Sequence, residues 1–188
     1  MKDLYDIAES ILDDEDDILD AADAAAELSA SVEWLKNHGV AFRMDDVLKG
    51  RRVRWYDPDT NTFTLEHSSI TLDKKDKDIP SYIHIDVCKN VNLHGYVGDV
   101  LPDLLKGLQD VDTLSIRNCP NLKSLRGCPQ NVKIFAVSGC PKITSLDGCP
   151  AKVEEMFKFI NNGASFNAKQ IKRYCKVDKK DIIHDITK

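Results

Sequence analysis

The chain has 188 residues, which is enough for one domain of ordinary size with an appended segment and excludes two large domains. Hydrophobic residues make up 42%, and no apolar run approaches the ~18 residues of a membrane span, so we expect a soluble protein without a membrane partner. The net charge of −5 is unevenly spread: residues 1–30 contain eleven acidic side chains against the single base Lys2. The sequence therefore predicts an acidic leader followed by a weakly basic body.

The leader, residues 1–38, has helical periodicity. Its apolar residues from Leu4 to Leu35 recur at spacings of three and four, which predicts one or two amphipathic helices. These should end near His38, because the following glycine is a suitable C-cap. The carboxylates at residues 13–17 lack the spaced pattern of a calcium loop, so we expect a solvated acidic surface there.

Residues 39–66 are predicted to form a hairpin cap and a first strand. Val53–Tyr56 and Thr62–Leu65 alternate apolar and polar residues around a turn-forming stretch at residues 57–61. Such a hairpin would cover the open edge of whatever sheet follows.

Residues 67–163 contain an internal repeat of 21 residues. The segment Val111–Asn131 aligns with Val132–Lys152, so that Leu114 and Ile116 superpose on Phe135 and Val137. A third copy, lengthened by one residue, follows with Phe157, Phe159 and Asn162 in the matching places, and Ile83, Ile85 and Cys88 fit an earlier copy; Phe63 and Leu65 fit a still earlier one. Because one such unit cannot bury its own apolar face, the copies should stack.

The pattern LxxLxLxxCxxLxxL in these copies resembles the leucine-rich repeat, and the short Leu-x-Gly-Cys-Pro linkage resembles its bacterial and phage type. The resemblance implies an α/β solenoid with a parallel β-sheet. It also implies that the last unit is capped, and residues 164–188 are predicted to be a C-terminal capping helix, begun by Ser or Asn, with a loosely held tail from Asp178.

Six cysteines accompany the repeat, and four of them precede proline. Cys119, Cys128, Cys140 and Cys149 follow one another at 9, 12 and 9 residues, so their spacing is that of the repeat rather than of a zinc site. We predict reduced, buried cysteines that hydrogen-bond backbone groups at the turns, without metal or other cofactor. Since no secretory leader is visible, the expected compartment is the reducing cytoplasm.

The outward positions of successive strands predict one partner-binding face, the concave face of the solenoid. Arg and Tyr are enriched at binding hot spots, and the exposed apolar members of this face would favour a protein partner. The alternatives are that the last strand is out of register by one residue, or that the C-terminal helix covers its apolar residues. The candidate residues are Tyr82, His84, Asp86, Ser115, Arg117, Ile134, Ala136, Ser138, Met156, Lys158 and Ile160.

The expected function is non-catalytic protein–protein interaction. The histidines show no metal or nucleophile motif, and a surface pair of His84 and Asp86 is far more common than an acid–base couple, so we do not predict an enzyme. One alternative is a virion-associated phage protein, packaged inside the particle, with the leader as an assembly or targeting segment. Another is an effector or enzyme inhibitor. Nucleic acid is disfavoured, although basic and aromatic residues cluster at residues 51–56.

Overall fold

The computed structural model describes residues 18–38, 56–57, 62–76, 79, 83–178 and 181–184. The chain divides into two compact units, one made of Met1–Leu65 with Ile79–His84 and the other of Glu66–Asp78 with Ile85–Lys188. Two strands, β2 (Thr62–Leu72) and β3 (Ile83–His94), each begin in the first unit and continue into the second.

In the first unit, helix α1 spans Ile18–Asn37. Its buried side chains include Leu28, Val32 and Leu35, which recur at helical spacing, and the ring of Trp34 stacks on that of His38 with centroids 3.8 Å apart. The predicted helix and its end near His38 are confirmed. The leader before residue 18 lies outside the described residues.

The hairpin of the first unit is also present. Strand β1 (Tyr56–Asp57) pairs antiparallel with the first two residues of β2, with Tyr56 opposite Phe63. Phe63 is fully buried, as expected for an inward-facing apolar residue on an alternating strand. Most of the basic cluster at residues 51–56 lies outside the described residues.

The second unit is a parallel β-solenoid of about five turns. Strands β3, β4 (Val111–Arg117), β5 (Asn131–Ser138) and β6 (Lys152–Ile160) pair in that order, each parallel to the next. The described helices of this unit are α2 (Ala168–Tyr174) and a 3-10 helix at Asp103–Leu105. The second unit is therefore built mainly of strands and turns.

The core of the solenoid is a stack of paired inward side chains. Leu114 lies beside Phe135 and Phe135 beside Phe157, with the two aromatic rings edge to face at 5.2 Å. Ile116, Val137 and Phe159 form the second row, and the six residues of these two rows are all fully buried. The predicted register of β4, β5 and β6 is confirmed, and an irregularity after Val132 and Val153 takes up the extra residue of β6.

The register of β3 differs from the prediction. Val91 and Leu93 lie beside Leu114 and Ile116, whereas Ile83 and Ile85 are buried earlier in the same 12-residue strand. Apolar alternation occurs at both ends of β3, but only the later end is followed by a turn residue, Gly95, as β4 is followed by Asn118. The core position of Leu114 is therefore matched in β3 by Val91, 23 residues earlier. Ile70 and Leu72, which are also buried, lie another 21 residues before Val91 and Leu93.

Each of these strands ends in a residue with left-handed backbone. Gly95, Asn118, Gly139 and Asn161 have φ between 53° and 69°. The backbone N–H of Asn118 donates to the carbonyl of Ser138 at 2.9 Å, and that of Gly139 to Ile160 at 3.3 Å. The conformation turns the chain out of the sheet and extends the ladder of hydrogen bonds by one residue, and glycine and asparagine adopt it at the lowest cost.

Cys119 and Cys140 lie just inside these turns, as predicted, whereas Cys88 lies within β3 and not at the turn that ends it. All six are free and buried. The thiol of Cys119 donates to the carbonyl of Arg117 at 3.4 Å, and that of Cys140 to Ser138 at 3.5 Å. Asn162 takes the equivalent place in the next turn, where its amide accepts from the N–H of Cys140 and donates to the carbonyl of Val137. Each of these side chains pairs backbone groups inside a tight turn.

The C-terminal segment is more ordered than the sequence predicts. Helix α2 begins at a capping box in which Asn167 and Gln170 bond each other's backbone N–H. Beyond it, β7 (Lys176–Val177) and β8 (Asp181–His184) both pair parallel to β6. Residues 181–184 of the predicted loose tail are therefore part of the sheet.

Candidate interaction surface

The outward side chains of the solenoid sheet form three rows, which we call the strand face. Because β-strands alternate their side chains, each row runs across the strands, parallel to the buried rows and on the opposite face of the sheet. The first row is Asn90, Thr113, Ile134, Met156 and Asp181; the second is Asn92, Ser115, Ala136, Lys158 and Ile183; the third is His94, Arg117, Ser138 and Ile160.

Eight of the predicted site residues lie on the strand face, in the register that the sequence indicates. They are Ser115, Arg117, Ile134, Ala136, Ser138, Met156, Lys158 and Ile160. The alternative in which β6 is shifted by one residue is wrong, because Phe157 and Phe159 are buried while Met156 and Ile160 are half-buried.

Two of the predicted site residues, His84 and Asp86, lie on β3 but are not aligned with these rows. Pairing with β4 begins at Asn90, so His84 and Asp86 precede the paired stretch, and the places beside Thr113, Ser115 and Arg117 are taken by Asn90, Asn92 and His94. His84 is exposed. Asp86 belongs to β3, and Tyr82 lies outside the described residues. The correction follows from the register of β3.

Two members of the strand face on β8 were missed by the sequence analysis. Asp181 lies beside Met156, and Ile183 lies beside Lys158 with 42% of its surface exposed. A four-residue strand after a turn shows too few alternations to be recognised from its pattern. With Ile134, Met156 and Ile160, Ile183 gives the β5–β8 side of the face an apolar character.

Ser115 is predicted as a contact residue but is only 4% exposed. Its hydroxyl accepts a hydrogen bond from Nε of Arg117, two residues further along the same strand, at 2.9 Å. Since i and i+2 share one face of a strand, the arginine side chain lies over the serine. Arg117 is therefore the accessible member of this pair, and Ser115 fixes its position.

The charged side chains at the start of the strands are paired with one another. Lys133 pairs with Asp112 at 2.6 Å, and Lys152 contacts both Glu154 at 2.8 Å and Asp178 at 3.2 Å. Hydrogen bonds from these lysines lower the pKa of Asp112 and of Asp178 below their ordinary values. We call this group the strand-start cluster, and its charges are largely used within the chain.

A cavity of about 370 Å³ lies between the turns that follow β3, β4 and β5. Lys123 pairs with Asp99 at 3.3 Å, Lys142 donates to the side-chain oxygen of Asn121 at 2.9 Å, and Asn121 donates to the carbonyl of Val97 at 3.0 Å. These contacts occupy the principal polar groups that line the cavity. The strand face is therefore the better candidate for recognition.

A reactive cysteine, a metal site or a membrane-spanning helix would indicate other functions. Burial raises the pKa of the Cys128 thiol, which disfavours the reactive thiolate. Within the described ranges, no group of three or more His, Cys, Asp or Glu side chains could hold a metal ion, and no helix is long and apolar enough to cross a bilayer. Comparisons with protein-family models, with curated proteins and with solved structures found no match to this chain.

Proposed function

We propose that this protein is a non-catalytic recognition module that binds a protein partner through the strand face. The observation that carries the proposal is that half-exposed Ile134, Met156 and Ile160 and exposed Ile183 lie on the same face of the sheet as Arg117, whose side chain is bonded to Ser115. A contiguous apolar surface with an accessible arginine is typical of interaction sites.

We further propose that the solenoid is of the leucine-rich-repeat type. The proposal is supported by the apolar pattern of the repeat and by the cysteine and asparagine side chains that pair backbone groups inside the turns. In this interpretation α2 covers the end of the last repeat with its buried Ile171. The virion-associated function and the effector or inhibitor function stay predictions, since no contact on the strand face favours either.

The test compares two substitutions of exposed or half-exposed apolar residues in the full-length chain. Ile160→Ser removes an apolar side chain from the strand face, whereas Val100→Ser removes one that is 57% exposed elsewhere. Proteins captured from lysate by the unsubstituted chain should be lost with the first variant and kept with the second, at equal circular dichroism. If both variants keep every captured protein, the strand face is not the recognition surface.

A further inference from the structure

The strand face carries two cationic side chains that have no carboxylate partner among the described residues. Among the described members of the second and third rows are Arg117 and Lys158, and no Asp or Glu. Within the part of the chain that the structure describes, neither Arg117 nor Lys158 forms an ion pair. In the strand-start cluster, by contrast, Lys133 and Lys152 are paired with their own acids.

From this difference we infer that the partner presents a segment of acidic and apolar side chains, with carboxylates directed at Arg117 and Lys158. The inference rests on the proposed function, and it specifies the chemistry of the partner. Like charges would be repelled from these rows, so the cations select as well as attract.

The position of Arg117 suits a carboxylate. Its Nε is already bonded to Ser115, which holds the guanidinium in one place and leaves its terminal amino groups to donate outward. A planar guanidinium offers two parallel donors to the two oxygens of one carboxylate, and preorganisation lowers the entropy lost on binding.

The spacing of the two cations sets the pattern of the partner segment. Arg117 and Lys158 lie two strands apart and two residues out of line, which places their Cα atoms roughly 12 Å apart from strand spacing and rise. Two carboxylates four residues apart on an extended segment span a similar distance and point to the same side. The residue midway between them would meet Ala136, whose small side chain leaves room for an apolar group.

Nucleic acid fits the same surface less well. Phosphates would satisfy Arg117 and Lys158, but a polyanionic backbone would leave Met156 and Ile160 without an apolar partner. We therefore assign the surface to a protein segment and keep nucleic acid as an outcome of the test.

The test uses the full-length chain and three fluorescein-labelled synthetic peptides of equal length, measured by fluorescence anisotropy. Their alternate positions are glutamate, leucine and glutamate in the acidic peptide, with glutamine or lysine replacing glutamate in the neutral and basic ones. The acidic peptide should bind about tenfold more tightly than the neutral one at low salt, and this advantage should shrink as salt is added.

Variants then connect that preference to the two cations. Lys158→Gln and Arg117→Gln should each weaken the acidic peptide about threefold and leave the neutral peptide unchanged, because each removes one partly exposed ion pair. Lys169→Gln, an exposed residue on α2, is the matched control and should change neither. Circular dichroism of each variant reports whether the fold is retained.

The outcomes separate the inference from the proposed function. Equal affinity for the acidic and neutral peptides, or no binding of the acidic peptide, would overturn the inference; the proposed function would survive if Ile160→Ser still abolished capture of cellular proteins. Tighter binding of a single-stranded DNA oligonucleotide, lost in Lys158→Gln, would also overturn it. If the two substitutions weaken only the acidic peptide, the inference is supported.

Discussion

The strand-start cluster and the strand face lie on the same strands of the solenoid, but they differ in whether their charged side chains are paired within the chain. At the strand starts Lys133 is paired with Asp112 and Lys152 with Glu154. Toward the strand ends, the side chain of Arg117 is hydrogen-bonded to a neutral serine and has no acidic partner among the described residues. A surface whose charged side chains are already paired within the chain gains little binding energy from a partner. A surface whose charged side chains are unpaired and lie near apolar groups favours association. Within the described residues, position along a strand therefore separates lysines that are paired from the cations of the strand face that are not.

The largest expected effect concerns β6 and tests whether its inward side chains are buried more deeply than its outward ones. Phe157→Ala should lower the free energy of unfolding by about 3–5 kcal/mol, since it leaves a cavity in a fully buried stack. The neighbouring substitution Met156→Ala should cost about 1 kcal/mol or less, because Met156 is only half-buried. Denaturant unfolding of the two variants measures both values, and similar losses would contradict the register of β6.

The next largest effect is expected at Asn162, the hydrogen-bonded asparagine of the turn that follows β6. Asn162→Ala should cost about 1–3 kcal/mol, because it leaves the N–H of Cys140 and the carbonyl of Val137 without this partner in a tight turn. Asn121→Ala, which removes an amide bonded to Val97 and Lys142 at the cavity, is the control and should cost less, as solvent reaches that site. A larger loss for Asn121→Ala in thermal unfolding would be inconsistent with the role assigned to Asn162.

A third prediction concerns binding rather than stability. Arg117→Ala should weaken the affinity for a captured partner about tenfold, as expected for an arginine at the centre of an interface. Lys133→Ala, which removes a cation from the strand-start cluster, should leave that affinity unchanged although it breaks an ion pair. Surface plasmon resonance gives both values, and an equal loss for the two variants would remove the distinction between the two surfaces.

The smallest effect concerns protonation in the strand-start cluster. The hydrogen bond from Lys133 lowers the pKa of Asp112, so the stabilisation that this pair gives is present above the ordinary carboxyl pKa and is lost as pH falls through the lowered one. In Lys133→Met the pKa of Asp112 should move back up toward its ordinary value. A carboxyl-detected NMR titration measures it, and an unchanged pKa would mean that the contact is not maintained in solution.

The sequence predicts the repeated part of the fold well, because apolar residues at a fixed period leave one way to stack. Phe135 and Phe157 could be assigned inward and Ile134 and Met156 outward from alternation alone. For β3 alternation was not enough, since Ile83 with Ile85 and Val91 with Leu93 both fit; the turn residue Gly95 was the signal that decides between them. The burial of Ser115 depends on where the Arg117 side chain lies, and the periodicity of the sequence carries no information about that position.

The left-handed residues that close the strands have a consequence for how such a protein can change in length. Corresponding core residues Val91, Leu114, Phe135 and Phe157 are separated by 23, 21 and 22 positions, yet the hydrogen-bond ladder joins every neighbouring pair. The extra residue of the last interval is taken up by the irregularity within β6, so the sheet tolerates an insertion there and keeps its pairing on either side. A complete turn can be gained or lost as a unit, which would widen or narrow the strand face by one strand at a time.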